Sequence, residues 1–327
     1  MVAVPLIAMP DLVPPPLPLP AGFDRHHASA TSQRTAMLHL ASGTDADQSW
    51  PRLTEYLLAL GRTDVPMARL TEGHVDALRI LDQAGTKPMP GAAYGVWASR
   101  SRATGISARR NGDRWVLDGT LKFASGAGVV DRALVPVWPS PDVHELLDLE
   151  VRDWTFDTEA WRTRAMEQSR SHQVTLTGLV TDAIEVAPPD FYLERPGFFP
   201  GGVGVAAVWV GGAARVCDLL ALAVPRRTPA QATRFGRLRT HLATAAAIVR
   251  EASLRLMGTP DEQLRAVSTL ARAGVAHAVR ELLADARTLA GPAGLAFDED
   301  LTRTVDDLAM FVAQQNEDGD AYWLGGL

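Results

Sequence analysis

Between Lys122 and Gly128 the chain reads Lys-Phe-Ala-Ser-Gly-Ala-Gly, small residues around one hydroxyl and one aromatic ring, just after an alternating run that ends at Leu121. Such a loop offers backbone N–H groups and the Ser125 hydroxyl to a planar polar cofactor, with Phe123 alongside. The competing reading is an ordinary strand turn whose small residues avoid clashes. Gly201, Gly202, Gly204, Gly211 and Gly212 suggest a dinucleotide loop at first sight. That loop must join a strand to a helix, and no strand precedes these glycines, so they read as a helix start and a close packing seam. The histidines are scattered apart from His26-His27, and no His or Cys pair has metal-ligand spacing. His74, His241 and His277 fall in helical segments and read as packing or surface residues. Gly95-Val-Trp-Ala-Ser99 lacks the strand-elbow-helix setting of a serine nucleophile.

These residues need elements to hold them. With 327 residues and 46% hydrophobic side chains, the chain can build a sizeable core, and the single Cys217 excludes a disulfide scaffold. A net charge of −6 with no basic stripe argues against a nucleic-acid surface. The first 24 residues hold no Lys or Arg, and seven prolines between Pro5 and Pro20 break their apolar run. That excludes both a secretion signal and a membrane helix there. The apolar stretch 203–224, interrupted by Arg215 and Asp218, reads as a buried helix rather than a membrane span. The expected location is the cytoplasm.

The periodicity divides the chain into four parts. Residues 1–48 form a Pro-rich leader, read as an extended arm or partly disordered. Residues 49–90 form a short helical domain, with helices over 51–60 and 68–84. Residues 91–195 form a β domain, because Arg114–Leu121, 133–138, 174–179 and 183–186 alternate like strands and Asn111-Gly112 supplies a tight turn. Residues 196–327 return to helix over 203–222, 229–257, 260–290 and 300–315, with many Ala positions that let helices approach closely. The fold class is α+β: N-terminal helices, a central β domain and a C-terminal four-helix bundle.

This order, together with the Lys-aromatic-x-Ser loop, resembles the acyl-CoA dehydrogenase superfamily over residues 50–327. The segment 111–137 carries most of the likeness. Gly291-Pro-Ala-Gly294, a spacer, then Asp306-Asp307-Leu308 and Phe311 resemble the glycine turn and acidic-aromatic helix that complete the family's active site. The resemblance implies a flavoprotein with FAD between β domain and bundle, Phe123, Ala124 and Ser125 against the flavin, and part of the site supplied by a neighbouring subunit. It implies a homodimer or homotetramer, or a hetero-oligomer with an intact relative. It also implies hydride transfer from a small-molecule substrate to flavin N5, the protein supplying orientation and electrostatics.

Departures from the family pattern sharpen the expectation. The usual base position falls on Gln315, whose amide takes no proton near neutral pH, leaving Glu317 as a fallback. The alternative base position falls near Gly202, again without a carboxylate. Trp97 stands where a flavin-contacting Thr is usual, and reads either as a ring stacked near the isoalloxazine with a new N–H donor or as a core Trp. The element that reaches FAD phosphates is broken. Arg226 and Arg227 stand near its start, as phosphate ligands or as solvated surface residues.

Three functions are open at this level: an FAD-dependent oxidoreductase on a non-standard substrate, including oxygen-using variants; a non-catalytic or accessory subunit that keeps the fold; and an acyl-CoA dehydrogenase with a relocated carboxylate such as Glu317 or Asp307.

Overall fold

The computed structural model describes residues 12–101 and 104–327. The chain forms two compact units, each assembled from separated stretches: one from 12–18, Ser49–Val65 and Gly202–Leu327, the other from Leu19–Gln48 and Pro66–Gly201. Residues 1–11 of the leader, including Pro5 and Pro10, lie outside the described residues.

The rest of the leader is not an extended arm throughout. Ala30–Ala41 is a helix, α1, started by Ser29, whose side chain accepts from the Ser32 N–H at 3.1 Å. Its buried face is narrow (Ala36, Met37, Leu40 and Ala41) and contains too few large apolar residues to read as periodic.

In the β-containing unit, seven strands form one mixed sheet: β1 (Tyr94–Val96), β2 (Gly105–Asn111), β3 (Arg114–Ala124), β4 (Arg132–Trp138), β5 (Glu145–Glu150), β6 (His172–Thr181) and β7 (Ile184–Glu185). The order is β6-β3-β2-β4-β5-β7, with β1 parallel to β4. The β2–β3 hairpin turns on Gly112-Asp113, and Asn111 is the last paired residue, opposite Arg114. β4 lies inside the sheet and is buried from Ala133 to Val137, which explains its unbroken apolar run. Pro136 is tolerated there because β1 pairs with 132–134 and β2 with 137–138, leaving Pro136 between them where no ladder needs its N–H.

Helix α3 (Val65–Gln83) lays Ala77, Ile80 and Leu81 against Tyr94, Leu134 and Leu146 to form the core of this unit. Under the helix a polar chain is buried with it. His74 accepts from the Tyr94 N–H at 3.0 Å, the Tyr94 hydroxyl donates to Asp148 at 3.1 Å, and Arg132 donates to the other Asp148 oxygen at 2.7 Å. Burial raises the Asp148 carboxyl, outweighing the hydrogen bonds from Arg132 and Tyr94. β5 (Glu-Leu-Leu-Asp-Leu-Glu) shows no strand pattern in the sequence because Asp148, an acid in its centre, is buried.

In the helical unit, α2 (Trp50–Thr63) packs on α5 (Phe198–Ala223), followed by α6 (Pro229–Arg255), α7 (Asp261–Phe297), α8 (Glu299–Val312) and α9 (Glu317–Gly325). A Cβ at Gly211 would run into the Leu58 carbonyl, and one at Gly61 into the Val208 carbonyl, so α2 and α5 touch backbone to backbone. The glycine-rich stretch is therefore a packing seam here. Beside it Arg62 forks onto Asp218 at 2.7 and 2.9 Å and donates to the Val13 carbonyl at 2.8 Å. This pairing accounts for an acid on an apolar helix. α7 breaks at Gly291, before Pro292, where the turn was expected. By length and composition α5 could cross a membrane, and 67% of its most apolar window is buried within the protein.

Candidate functional site

The loop after β3 is built around a bulge. Leu121 pairs with Val174 and Ala124 with His172, so β3 carries one residue more than β6 between these pairs. The extra length turns Phe123 to φ +60° and leaves the residue 59% exposed. A left-handed bulky residue costs roughly 1–2 kcal/mol, which the surrounding hydrogen bonds must offset. The Phe123 ring stands edge-on to Trp161 at 6.1 Å between centroids, and the Trp161 indole donates to the Ala165 carbonyl at 3.1 Å.

Behind the loop the fit is close. Trp97 is buried, its indole N–H donates to the Ser125 carbonyl at 2.9 Å, and Trp154 and Phe156 pack on its ring. Gly126 sits at φ +81°, and a Cβ there would press on Val130 at 2.9 Å. Trp97 thus holds the loop from the core side, with its indole N–H engaged by the Ser125 carbonyl.

The segment from Met166 to Ser171 completes the cradle. Met166 and Arg170 also adopt positive φ, so three of the four described non-glycine residues with that conformation gather here. The Gly126 N–H donates to the Ser169 carbonyl at 2.9 Å, and the Ala127 N–H to Arg170 and Ala124 carbonyls at 3.2 Å. The Ser125 N–H bonds the Phe123 carbonyl at 2.8 Å. These three N–H groups are therefore engaged within the protein, while Phe123 is left exposed. The Ser125 hydroxyl bonds Ser171 at 2.8 Å, Ser171 bonds Ser169 at 2.7 Å, and Ser169 donates to the Met166 carbonyl at 2.6 Å. Arg170 is fixed by Gln33 of α1 at 2.5 Å, and Gln33 also donates to the Gln168 carbonyl at 2.6 Å. The only signal available in the sequence was the cluster of small polar residues Ser169-Arg-Ser171 ahead of a strand.

Asp131, just beyond the loop, joins three segments. Arg34 from α1 meets one carboxylate oxygen at 2.7 Å together with the Ala93 N–H at 2.8 Å, and Arg152 meets the other at 2.9 Å. Burial alone would raise the Asp131 carboxyl, but the hydrogen bonds from Arg34, the Ala93 N–H and Arg152 hold it below its ordinary value. His74 lies in the middle of α3, not at a helix end. Burial, with Arg34 nearby, lowers it to about 4, so it is neutral at pH 7. Its Nδ1 accepts from Tyr94, so the proton sits on Nε2.

The remaining expected site residues belong to the helical unit. Gln315 is buried, and its amide donates to Asp320 at 2.7 Å while its oxygen has no protein partner. Glu317 is mostly exposed at the start of α9 and pairs with Arg280 at 3.2 Å. Arg227 lies 3.8 Å over the Phe235 ring. Arg226 is exposed in the turn before α6. At Gly202 a Cβ would meet Arg272. Among the described residues no group of three or more His, Cys, Asp or Glu could hold a metal ion.

This combination of N-terminal helices, a mixed β-sheet and a C-terminal helix bundle defines the acyl-CoA dehydrogenase-like fold, as expected from the sequence. Solved structures of flavin-binding proteins share it. Dibenzothiophene monooxygenase (TdsC) from Paenibacillus sp. A11-2 is 19% identical, over 90% of this chain and 88% of that one, with a TM-score of 0.71. The same enzyme has been solved with FMN and indole. A nitrososynthase from Micromonospora carbonacea var. africana is 15% identical, over 89% and 88% of the two chains, with a TM-score of 0.74. XiaF from Streptomyces sp., in complex with FADH2 and glycerol, is 18% identical, over 93% and 88%, with a TM-score of 0.70. No protein-family model and no curated protein matches the chain. At these identities the likeness establishes the fold.

Proposed function

We propose that the protein is a flavin-dependent oxidoreductase acting on a small molecule other than an acyl thioester, with dioxygen as the reaction partner of the reduced flavin. The observation that carries this reading is the loop itself. An exposed phenyl ring is held in a costly left-handed conformation beside a hydroxyl, over a tryptophan that braces the loop from behind. Strain kept at one point by this many supporting bonds marks a ligand contact more often than a plain turn.

Bound flavin would supply two-electron transfer and, when reduced, reaction with dioxygen. Phe123 would meet the ring system, and the Ser125 hydroxyl a polar edge of it. Arg226 and Arg227 would be free to meet phosphate if the cofactor is FAD rather than FMN, the Arg227 guanidinium being oriented already by Phe235. Gln315 offers an amide where thioester dehydrogenation needs a carboxylate, and Glu317 is tied to Arg280; both weigh against α-proton abstraction. A dibenzothiophene monooxygenase and a nitrososynthase among the proteins of this fold support the oxygen-using form. Hydride transfer from substrate to flavin N5 is the competing form, and a homodimer or homotetramer belongs to the same proposal.

A second reading, a subunit that keeps the fold without the chemistry, is favoured by the three loop N–H groups that already have partners within the protein. One experiment separates them. The purified protein is titrated with FMN and FAD by fluorescence, then mixed with reduced flavin while dioxygen uptake is followed. Binding of either flavin supports the oxidoreductase, and altered oxygen consumption supports the oxygen-using form. Protein that takes up neither flavin in either redox state leaves only the scaffold reading.

A further inference from the structure

One inward-facing side chain of α1 bonds that helix to the segment behind the loop after β3. Gln33 is fully buried, and its amide works in both directions. Its Nε2 donates to the Gln168 carbonyl at 2.6 Å and to the Gln168 side-chain oxygen at 3.0 Å. Its Oε1 accepts from Arg170 Nε at 2.5 Å. An amide serves a carbonyl and a guanidinium at once without burying a second charge. The same two partners reach back to the leader, Gln168 donating to the His26 carbonyl at 2.9 Å and Arg170 to the Ala28 carbonyl at 3.3 Å. Met166 and Arg170, at φ +56° and +45°, bracket the short turn Glu167–Ser169, so contacts from outside the turn must offset its cost. The Ser169 and Arg170 carbonyls accept in turn from the Gly126 and Ala127 N–H groups at 2.9 and 3.2 Å. All these residues belong to the β-containing unit.

We propose that α1 is a latch on this loop. Docked, the helix fixes the turn at 167–169 and, through it, the Gly126 and Ala127 amides; lifted, it releases turn and loop together. It can lift without unfolding the sheet, because its apolar face is narrow and the rest of its hold is polar. Arg34 supplies the other half of that hold, through Asp131 at 2.7 Å and the Gly91 carbonyl at 2.9 Å. The Trp97 bond to the Ser125 carbonyl and the Ser125 N–H bond to Phe123 involve no residue of α1. Release is therefore confined to the part of the loop that follows Ser125. Gln33 is a positioning residue that acts on the loop only through Gln168 and Arg170. Displacing α1 would alter the loop without touching it, whatever the loop binds.

The test is amide hydrogen exchange resolved to single residues on the full chain, comparing wild type with Gln33→Ala and Arg34→Ala. In each variant, exchange of α1, Gly126 and Ala127 should speed up by a common factor of about ten, through one shared local opening. Ser125 and strand β4 should keep their wild-type rates. Arg34→Ala leaves Gln33 and its partners in place, so a response at Gly126 in that variant reports the lifting of α1 and not a disturbed Gln33 pocket. Faster exchange in α1 with Gly126 and Ala127 unchanged, in either variant, would overturn the inference, since the loop would be held without the helix. Unchanged exchange throughout would overturn it as well. So would an equal acceleration that includes β4, which marks a loss of global stability.

Discussion

The indole N–H of Trp97 donates to the carbonyl oxygen of Ser125 across 2.9 Å, so this residue, which the sequence left open between a flavin contact and a core Trp, forms the back wall of the loop. Trp97→Phe keeps most of the aromatic packing and removes the donor. We expect a loss of about 1–3 kcal/mol in chemical denaturation, the cost of removing a buried partner. Weaker flavin binding should accompany it, because the carbonyl of Ser125 is no longer held. Unchanged stability would show that the bond does not brace the loop.

Phe123→Gly should separate stability from binding. Glycine adopts φ +60° without steric cost, so the folded protein should gain about 0.5–1 kcal/mol despite the greater freedom of the unfolded chain. Flavin affinity should drop because the exposed ring is gone. Denaturation curves and flavin titration on the same preparation check the opposite signs. A variant less stable than wild type would mean that the ring packs to hold the fold and is not kept for a ligand.

His74 predicts an acid dependence. Its ordinary value of 6.5 applies to the unfolded chain, and burial lowers it to about 4 in the folded protein. Between these values the unfolded chain binds more protons, so stability is fully present above pH 6.5 and is lost as pH falls towards 4. The loss from this one group is on the order of 3 kcal/mol. His74→Gln keeps an acceptor for the Tyr94 N–H and should flatten the stability curve over that window. The same slope in wild type and variant would assign it to other groups.

Gln315→Glu would place a carboxylate against Asp320, 2.7 Å from the present amide. Two carboxylates at that distance hold one proton between them, which raises the folded pKa above the unfolded one. The variant should be nearly as stable as wild type at pH 4 and lose about 1–3 kcal/mol by pH 8, where both acids would ionise. Urea denaturation at the two pH values measures it. Loss of equal size at both would point to a steric cause. The contact with Asp320 makes this substitution a poor route to a working base.

Asp131→Asn should loosen α1. The asparagine can still accept but no longer neutralises Arg34 and Arg152, and a loss of about 1–3 kcal/mol is expected. Limited proteolysis between Gly22 and Ala30 should speed up in the variant. Equal cleavage rates would show that α1 is held by Gln33 and its apolar face alone.

Much of the architecture was legible because it depends on local spacing. Apolar positions three and four apart mark α6 and α7, alternation around Trp115 and Leu117 marks β3, and Asn111-Gly112 marks the hairpin. β5 and α1 were not legible. The first is interrupted by an acid that becomes tolerable only when Arg132 and Tyr94 meet it from other segments. The second has a narrow buried face with only Met37 and Leu40 as large apolar residues, and is held in part by Asp131 and Gln168 from distant parts of the chain.

The same division runs through the candidate site. Residue order alone determined that a Ser and an aromatic share a tight loop after a strand, and that position 315 carries an amide. Only tertiary structure decided which atoms of that loop face outward, because Trp97, Ser169 and Arg170 approach it from distant parts of the chain and claim its N–H and carbonyl groups. A hydroxyl's polarity depends on where its neighbours send their own protons, and those neighbours are chosen by the fold.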